Sequence, residues 1–585
     1  MTDHGNQLGI AAGYHDVNGH WHDTPADTLA FFAEVMGTPT DAAPLWFVDE
    51  GDSPSLANTC NLVLEDGTDI GEVNGLPAHL PIGYHRLSPV DGGPVTTVVI
   101  APRTCPPAPR GWGVSAQVYA LWRRDGWGIG DLRDVALLGQ QVAAHGGSAL
   151  LLSPFHAPAP THPQQASPYY PSSRRWLNPL LIPLDGEPPA ELDNAPGGTI
   201  DRDRVWSAKR QRLAERFTRE SSTAEWRTWA REQGRELWQF ATWNAFADRF
   251  GVRWRDWTAE YRHPDAPAVQ DLPLLNRQFG ESCEFHSWVQ WVAAKELRHT
   301  VLAAGTQLIA DLAVGCSPDG ADGWLHQDVM AHGVGIGAPP DPFNPAGQNW
   351  GLPPFVPWRL RNVHYAPFIA MVRAACAGMG GLRIDHVMGL FRQYWVPEGG
   401  SPADGAYVYL PASELLAIIR LEATRAGTFV VGEDLGTVEP GVREQLRASG
   451  ILGTKVWWFD QDVEGWGATN LATVTTHDLP TVAGVALGAD GSAEMQHALD
   501  ALRGELPPTD LAGIAERVHR LVASSPAVLC LASADDLAGM VERPNHPGTT
   551  NDEQPNWQRR LPVSADSLVI GEPGARIIAA IARER

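Results

Sequence analysis

The chain has 585 residues, 43% apolar, 19% charged and 8% aromatic, a globular composition that excludes a disordered or fibrous protein. Its 68 acidic residues outnumber 44 basic ones for a net charge of −24, so it lacks the clustered positive charge that nucleic acid or an anionic membrane surface requires. No apolar run approaches the ~18 to 20 residues of a spanning helix, and the opening Met1-Thr2-Asp3-His4-Gly5-Asn6-Gln7 lacks the basic and apolar regions of a signal peptide.

In chain order, the first predicted element is a helix over Thr28–Met36, stopped by Gly37. Short apolar runs follow, among them Leu45–Val48 and Val95–Ile100, divided by Gly, Pro and Asp, so residues 1–110 are expected to form a small, mainly β module. Pro102, Pro106, Pro107 and Pro109 make a stiff linker, and a catalytic domain is expected over 111–585. There the pattern becomes regular. Eight runs of strand length appear: Val114–Leu121, Ala149–Pro154, Gln307–Val314, Leu382–Val387, Thr428–Glu433, Thr454–Asp460, Ala472–Asp478 and Ala527–Ala534. Most are rich in Val, Ile and Leu, as strands buried on both faces should be. Helical patterns lie between many of them. Leu132–His145 follows a candidate cap at Asp131, and Ala412–Ala426 ends before Gly427 at the C′ position. Strand and helix repeated eight times predict an α/β fold, a (β/α)8 barrel. Between the second and third runs lie a Pro/Ser-rich loop and a Trp- and charge-rich helical stretch, read as an insertion over about 155–300.

Several strand runs end in polar groups: Asp311 on the third, Arg383-Ile384-Asp385-His386 on the fourth, Gly432-Glu433-Asp434 on the fifth, Thr476-His477-Asp478 on the seventh. In a barrel these C-terminal strand ends share the face that carries the active site. A lone Asp there is by default a helix cap, but three carboxylates at strand ends, Asp385 and Asp478 beside His or Arg, are costly to bury without a role. Paired carboxylates without a metal-ligand set suggest glycoside cleavage, one attacking the anomeric carbon and one protonating the leaving oxygen; a separation of about 5 to 5.5 Å gives retention. Arg383, two residues before Asp385 and so on the same strand face, would keep that carboxylate ionised as a nucleophile needs. The 23 Trp suit sugar faces, although a Trp-rich core explains the count as simply. Of Trp457 and Trp458, in the sixth run, one is expected in the core and one at the cleft, with the choice open. The six cysteines (60, 105, 283, 316, 376, 530) are scattered without a CxxC, which excludes a disulfide framework and a clustered zinc site and fits reduced thiols in a cytoplasm.

At these residues the sequence resembles the 4-α-glucanotransferases, or amylomaltases, of glycoside hydrolase family 77. The matching stretches span most of 110–565: Gln117-Val118-Tyr119, Gly126-Trp127-Gly128-Ile129-Gly130-Asp131, Ser167-Pro168-Tyr169, Ser172-Ser173-Arg174-Arg175-Trp176-Leu177-Asn178-Pro179, Pro339-Pro340-Asp341, Gly347-Gln348-Asn349-Trp350-Gly351, the three strand-end motifs above, Leu435-Gly436, and Asn545-His546-Pro547-Gly548-Thr549. Gly351-Leu352-Pro353-Pro354 and Val387-Met388-Gly389 depart from the shorter members and match a longer bacterial branch with an extra N-terminal module. The resemblance implies Asp385 as nucleophile, Glu433 as general acid/base and Asp478 as the third carboxylate, with no metal and no organic cofactor. It implies that Arg383 sets the charge of Asp385, that His386 and His477 bind sugar hydroxyls, that Tyr169 and Asp322 lie near the donor sugar, and that Trp350 and Asn545 shape the cleft. Maltooligosaccharides and α-1,4-glucans are the implied substrates. A retaining α-glucan hydrolase on the same barrel is the competing reading; a non-catalytic glucan-binding protein would predict a damaged triad, and all three carboxylates are present.

Overall fold

The computed structural model describes residues 8–585 apart from 17, 41–43 and 342–343. The chain forms two compact units: Met1–Pro107 with His326–Ala377 and Ile384–Gly453, and Ala108–Leu325 with Gly378–Arg383 and Thr454–Arg585.

All eight runs become strands: β1 (Gly111–Ala116), β2 (Ala149–Leu152), β3 (Gln307–Leu312), β4 (Gly381–Ile384), β5 (Phe429–Gly432), β6 (Gly453–Val456), β7 (Asn470–Thr473) and β8 (Leu529–Ser533). Their order in one sheet is β5-β4-β3-β2-β1-β8-β7-β6, so each strand neighbours its predecessor in sequence. The pairings β1–β2, β2–β3, β8–β1 and β7–β8 are parallel. The two ends of that order are linked by a parallel bridge between Val431 and Leu452, which nearly closes the barrel. Burial on both faces explains the apolar sequences: Leu150, Leu152, Ile309, Leu382, Val430 and Leu531 are all enclosed.

The second unit holds most of the barrel and the helical insertion. Helix α1 (Leu132–Ala144) starts where expected, at a capping box in which Asp131 accepts the Arg133 N–H and the Asp131 N–H donates to Asp134. Arg123 forks onto both Asp131 oxygens at 2.8 and 3.1 Å and also pairs with Asp134 at 2.9 Å. Across from it Lys209 of helix α2 (Arg202–Glu220), wholly enclosed, donates to the carbonyls of Leu180 and Ile182 and lies 4.0 Å from Asp131. Burial lowers the pKa of this lysine to about 8. The insertion continues with α3 (Ala224–Phe250) and α4 (Arg277–Ala303). Its core is aromatic: Trp176, Phe240, Trp243, Phe246, Trp254, Trp257 and Trp324 pack together. Much of the tryptophan count is therefore core. Trp457 and Trp458 are both buried as well, the latter donating to the Pro480 carbonyl, which corrects the expectation that one faces the cleft. All six cysteines are free and buried.

In the first unit a helix spans Ala26–Met36, longer at its start than expected, and Gly37 follows it. A five-stranded sheet runs in the order Leu45–Asp49, Thr96–Ala101, Gly83–Pro89, Ser55–Val63, Asp69–Gly75. Val99 and Ala101 pack on Ala417 and Leu421 of helix α5 (Ala412–Ala426), which Gly427 ends in the left-handed conformation at φ 69°. A four-stranded antiparallel sheet, with Val334–Ala338 between Gln348–Leu352 and Arg392–Pro397, has no counterpart among the predicted elements. Among the described residues no helix is long and apolar enough to cross a membrane.

Candidate active site

The candidate residues fall in both units. In the first unit Asp385 directly follows β4 and Glu433 directly follows β5. The turn after Asp385 is sharp: His386 takes φ 47°, and Val387–Leu390 form a single 3-10 turn. Gly432 makes room for it, because a Cβ there would sit 2.8 Å from the Val387 side chain. The backbone locks the two strand ends together. The Glu433 N–H donates to the Ile384 carbonyl at 3.0 Å and the Val387 N–H to the Glu433 carbonyl at 3.0 Å. The Glu433 side chain closes the arrangement, accepting the His386 N–H on Oε2 at 2.9 Å and the Leu435 N–H on Oε1 at 2.8 Å. So Glu433 is fixed against the residue next to Asp385. Burial pulls the His386 pKa below the ordinary histidine value, against the opposing charge of Asp385, which favours a neutral ring. Trp350 meets that ring edge-on, 5.4 Å between centroids, and its indole N–H donates to Gln348. Asp434 pairs with Arg443 at 2.8 Å and anchors the loop.

In the second unit the organising residue is Asp311 on β3, 4% exposed. Arg383 Nη1 lies 2.7 Å from both its oxygens. The Tyr169 hydroxyl donates to the same carboxylate at 2.7 Å and lies 3.2 Å from His477 Nδ1. Tyr169 and His477 stack at 4.7 Å, and Trp557 packs on both at 5.3 and 5.2 Å. Trp557 is held in turn by Arg202, which donates to its carbonyl and lies over Tyr119.

Asp478 stands five residues beyond the end of β7. The threonine hydroxyls explain why the strand stops at Thr473: Thr473 donates to the Thr475 carbonyl and Thr475 to that of Pro480, folding the chain back. The half-buried Asp478 carboxylate accepts Asn545 Nδ2 on Oδ1 at 2.6 Å and faces His477 Nε2 at 3.4 Å on Oδ2. Burial pushes its pKa up, but His477, the Asn545 bond and Arg383 outweigh it, and the net value is lowered. Its ionised form contributes stability that is full above the ordinary carboxylate range and lost as pH falls through the lowered value. Replacing Asn545 by Ala removes one donor to that anion. The expected result is a higher titration midpoint for Asp478, read by NMR of the carboxyl carbon; an unmoved midpoint would assign the shift to His477 and Arg383 alone.

Asp322 is enclosed at 7% exposure. It accepts the Arg174 N–H at 2.8 Å while its own N–H donates to the Ser172 carbonyl, so this pair clamps the start of the strand Ser173–Leu177. Sequence reasoning noted Asp311 as a strand end but gave it no partner, and it missed Trp557 entirely. The first carried a signal, its strand-end position; the second carried none. Among the described residues no group of three or more His, Cys, Asp or Glu is arranged to hold a metal ion.

Comparison with known proteins shows the family of the chain. Residues 116–565 match a family described as 4-alpha-glucanotransferase. A 4-alpha-glucanotransferase of Mycobacterium tuberculosis is 38% identical over 85% of this chain and 78% of that protein. One of Haemophilus influenzae is 30% identical over 95% of this chain and 94% of its own. The crystal structure of amylomaltase from Corynebacterium glutamicum superposes with a TM-score of 0.83 at 28% identity, covering 99% of each chain.

Proposed function

This chain belongs to the 4-alpha-glucanotransferases of glycoside hydrolase family 77 and transfers glucan units, and we propose that it does so through a covalent glycosyl-enzyme on Asp385. Maltooligosaccharides and longer α-1,4-glucans serve as donors and acceptors. An Asp385 oxygen attacks C1 of the donor sugar as the C1–O4 bond breaks, and Glu433 gives its proton to the departing 4-oxygen. The leaving glucan is replaced by an acceptor. Glu433 then takes the proton from the acceptor's 4-hydroxyl, that oxygen attacks C1, and the bond to Asp385 breaks with net retention. Asp478, held anionic, accepts sugar hydroxyls and stabilises the positive charge that develops at C1. His386 and His477 bind hydroxyls, Tyr169 and Asp322 border the donor sugar, and Trp350 and Asn545 shape the cleft. One α-1,4 bond is broken and one made, so the reaction is close to thermoneutral and spreads chain lengths by mixing.

The observation that supports this reading best is the link between the ends of β4 and β5: Glu433 accepts the N–H of the residue beside Asp385. The test incubates purified protein with maltotriose and follows oligosaccharides and reducing ends together. The expected result is a ladder from glucose to longer maltooligosaccharides at constant reducing ends. Rising reducing ends without a ladder would make the protein a hydrolase.

A further inference from the structure

The turn that carries Asp478 lies against the segment 541–545, and both belong to the second unit. Hydrogen bonds run along the seam. The Asn545 N–H donates to the His477 carbonyl at 3.1 Å, and its Nδ2 to the Asp478 carboxylate. The Thr481 hydroxyl donates to the Val541 carbonyl at 3.0 Å. The approach is close enough to need a glycine, because a Cβ on Gly484 would lie 2.5 Å from the Val541 carbonyl oxygen. Between these bonds sits Arg543, whose Nη1 donates to the Asp478 carbonyl at 2.7 Å.

That bond has a charge behind it. The other arm of the guanidinium, Nη2, donates to Asp490 Oδ1 at 2.7 Å, and both side chains are largely buried. Asp490 is itself fixed. It lies just past the short helix Val482–Ala486, its N–H donates to the Gly484 carbonyl at 3.2 Å, and its Oδ1 also accepts the Gly491 N–H at 2.8 Å. A guanidinium is a rigid planar fork, so seating one arm on a fixed carboxylate aims the other. Asn545 holds the carboxylate of Asp478, and Arg543 holds the backbone from which that carboxylate hangs.

We infer that Arg543 is a positioning residue for glucan transfer: aligned by Asp490, it sets the backbone of Asp478 and through it the place of that carboxylate. The inference rests on the reading of Asp478 as the third carboxylate. A group that stabilises charge developing at C1 has to be held within about 0.5 Å, and a displacement of about 1 Å costs up to ~10²-fold in rate. The loss falls on the transition state more than on substrate binding, and so on kcat.

The test follows maltotriose disproportionation in Arg543→Ala, Asp490→Ala, Asp490→Asn and Asp478→Asn, and the Asp478 titration midpoint by NMR of its carboxyl carbon. Arg543→Ala and Asp490→Ala each lower kcat roughly 10- to 100-fold with little change in KM. Asp490→Asn, which keeps an acceptor for Arg543 and Gly491, retains most of the rate. The midpoint separates positioning from a merely structural tie. Removing the Asp490 anion would by charge alone lower it, whereas a displaced turn loosens the hold of Asn545 and His477 and raises it. A midpoint unmoved or lowered in Asp490→Ala, or a kcat in Arg543→Ala close to wild type, overturns the proposal. If Arg543→Ala does not fold, the two Asp490 variants decide: equal rates in them overturn it. Activity that survives Asp478→Asn would instead overturn the role of Asp478, a result read independently of Arg543.

Discussion

Asp385→Asn abolishes transfer. The amide has the size of the carboxyl but cannot attack C1, so no glycosyl-enzyme forms and the maltotriose ladder disappears, a loss of roughly 10⁴-fold or more by analogy with removal of other covalent nucleophiles. The side chain is half-buried at a strand end, and the backbone bonds that shape the turn, from Glu433 N–H to Ile384 and from Val387 N–H to Glu433, do not involve it. The turn therefore keeps its backbone bonds in the variant. Residual activity within tenfold of wild type would place the nucleophile elsewhere.

Glu433→Gln gives a different pattern, because an acid matters only when the leaving group needs a proton. With maltooligosaccharide donors the expected loss is about 10²- to 10⁴-fold, the usual range for a general acid/base. With a maltosyl fluoride donor, whose fluoride leaves without protonation, the first half-reaction runs near the wild-type rate, and a burst of fluoride is the measurement. An equal loss on both donors would remove Glu433 from the acid role. The substitution also has a structural cost. Glutamine has one acceptor oxygen where glutamate has two, so the N–H of either His386 or Leu435 loses its partner, costing about 1 to 3 kcal/mol if that group stays out of water.

Much of the barrel was legible because buried parallel strands are written as continuous apolar runs. The ends were less so. The first run was read over Val114–Leu121, while β1 starts at Gly111 and stops at Ala116; Gly111-Trp112-Gly113 carries no strand signal, and Val118–Ala120, equally apolar, is a 3-10 turn. The fourth and seventh runs were extended into turns whose shape depends on a positive φ at His386 and on threonine hydroxyls. The sheet containing Val334–Ala338 was invisible because its Val-Gly-Ile-Gly-Ala sequence looks like a loop and its partners lie as far away as Arg392–Pro397. For the site, residue types and strand-end positions were readable, but partners were not. Arg383 and Asp311 are 72 residues apart, and Asn545 and Asp478 are 67 apart. Nothing local to Arg383 says that its guanidinium holds Asp311. The sequence cannot choose between Trp457 and Trp458 as a cleft residue, because a Trp near a strand end looks the same whether its N–H meets a sugar or, as for Trp458, the Pro480 carbonyl.

The buried cluster of Arg123, Asp131, Asp134 and Lys209 bears on how the second unit comes apart. Two cations balance two carboxylates, and one of the cations is delivered by α2, from the insertion, to the first turn of α1, the barrel's first helix. Losing that lysine would leave two enclosed carboxylates facing a single guanidinium, and breaking a buried pair costs about 3 to 5 kcal/mol. Pulling α2 away from α1 would therefore carry that cost. This charge cluster ties the melting of the insertion to that of the first strand–helix unit.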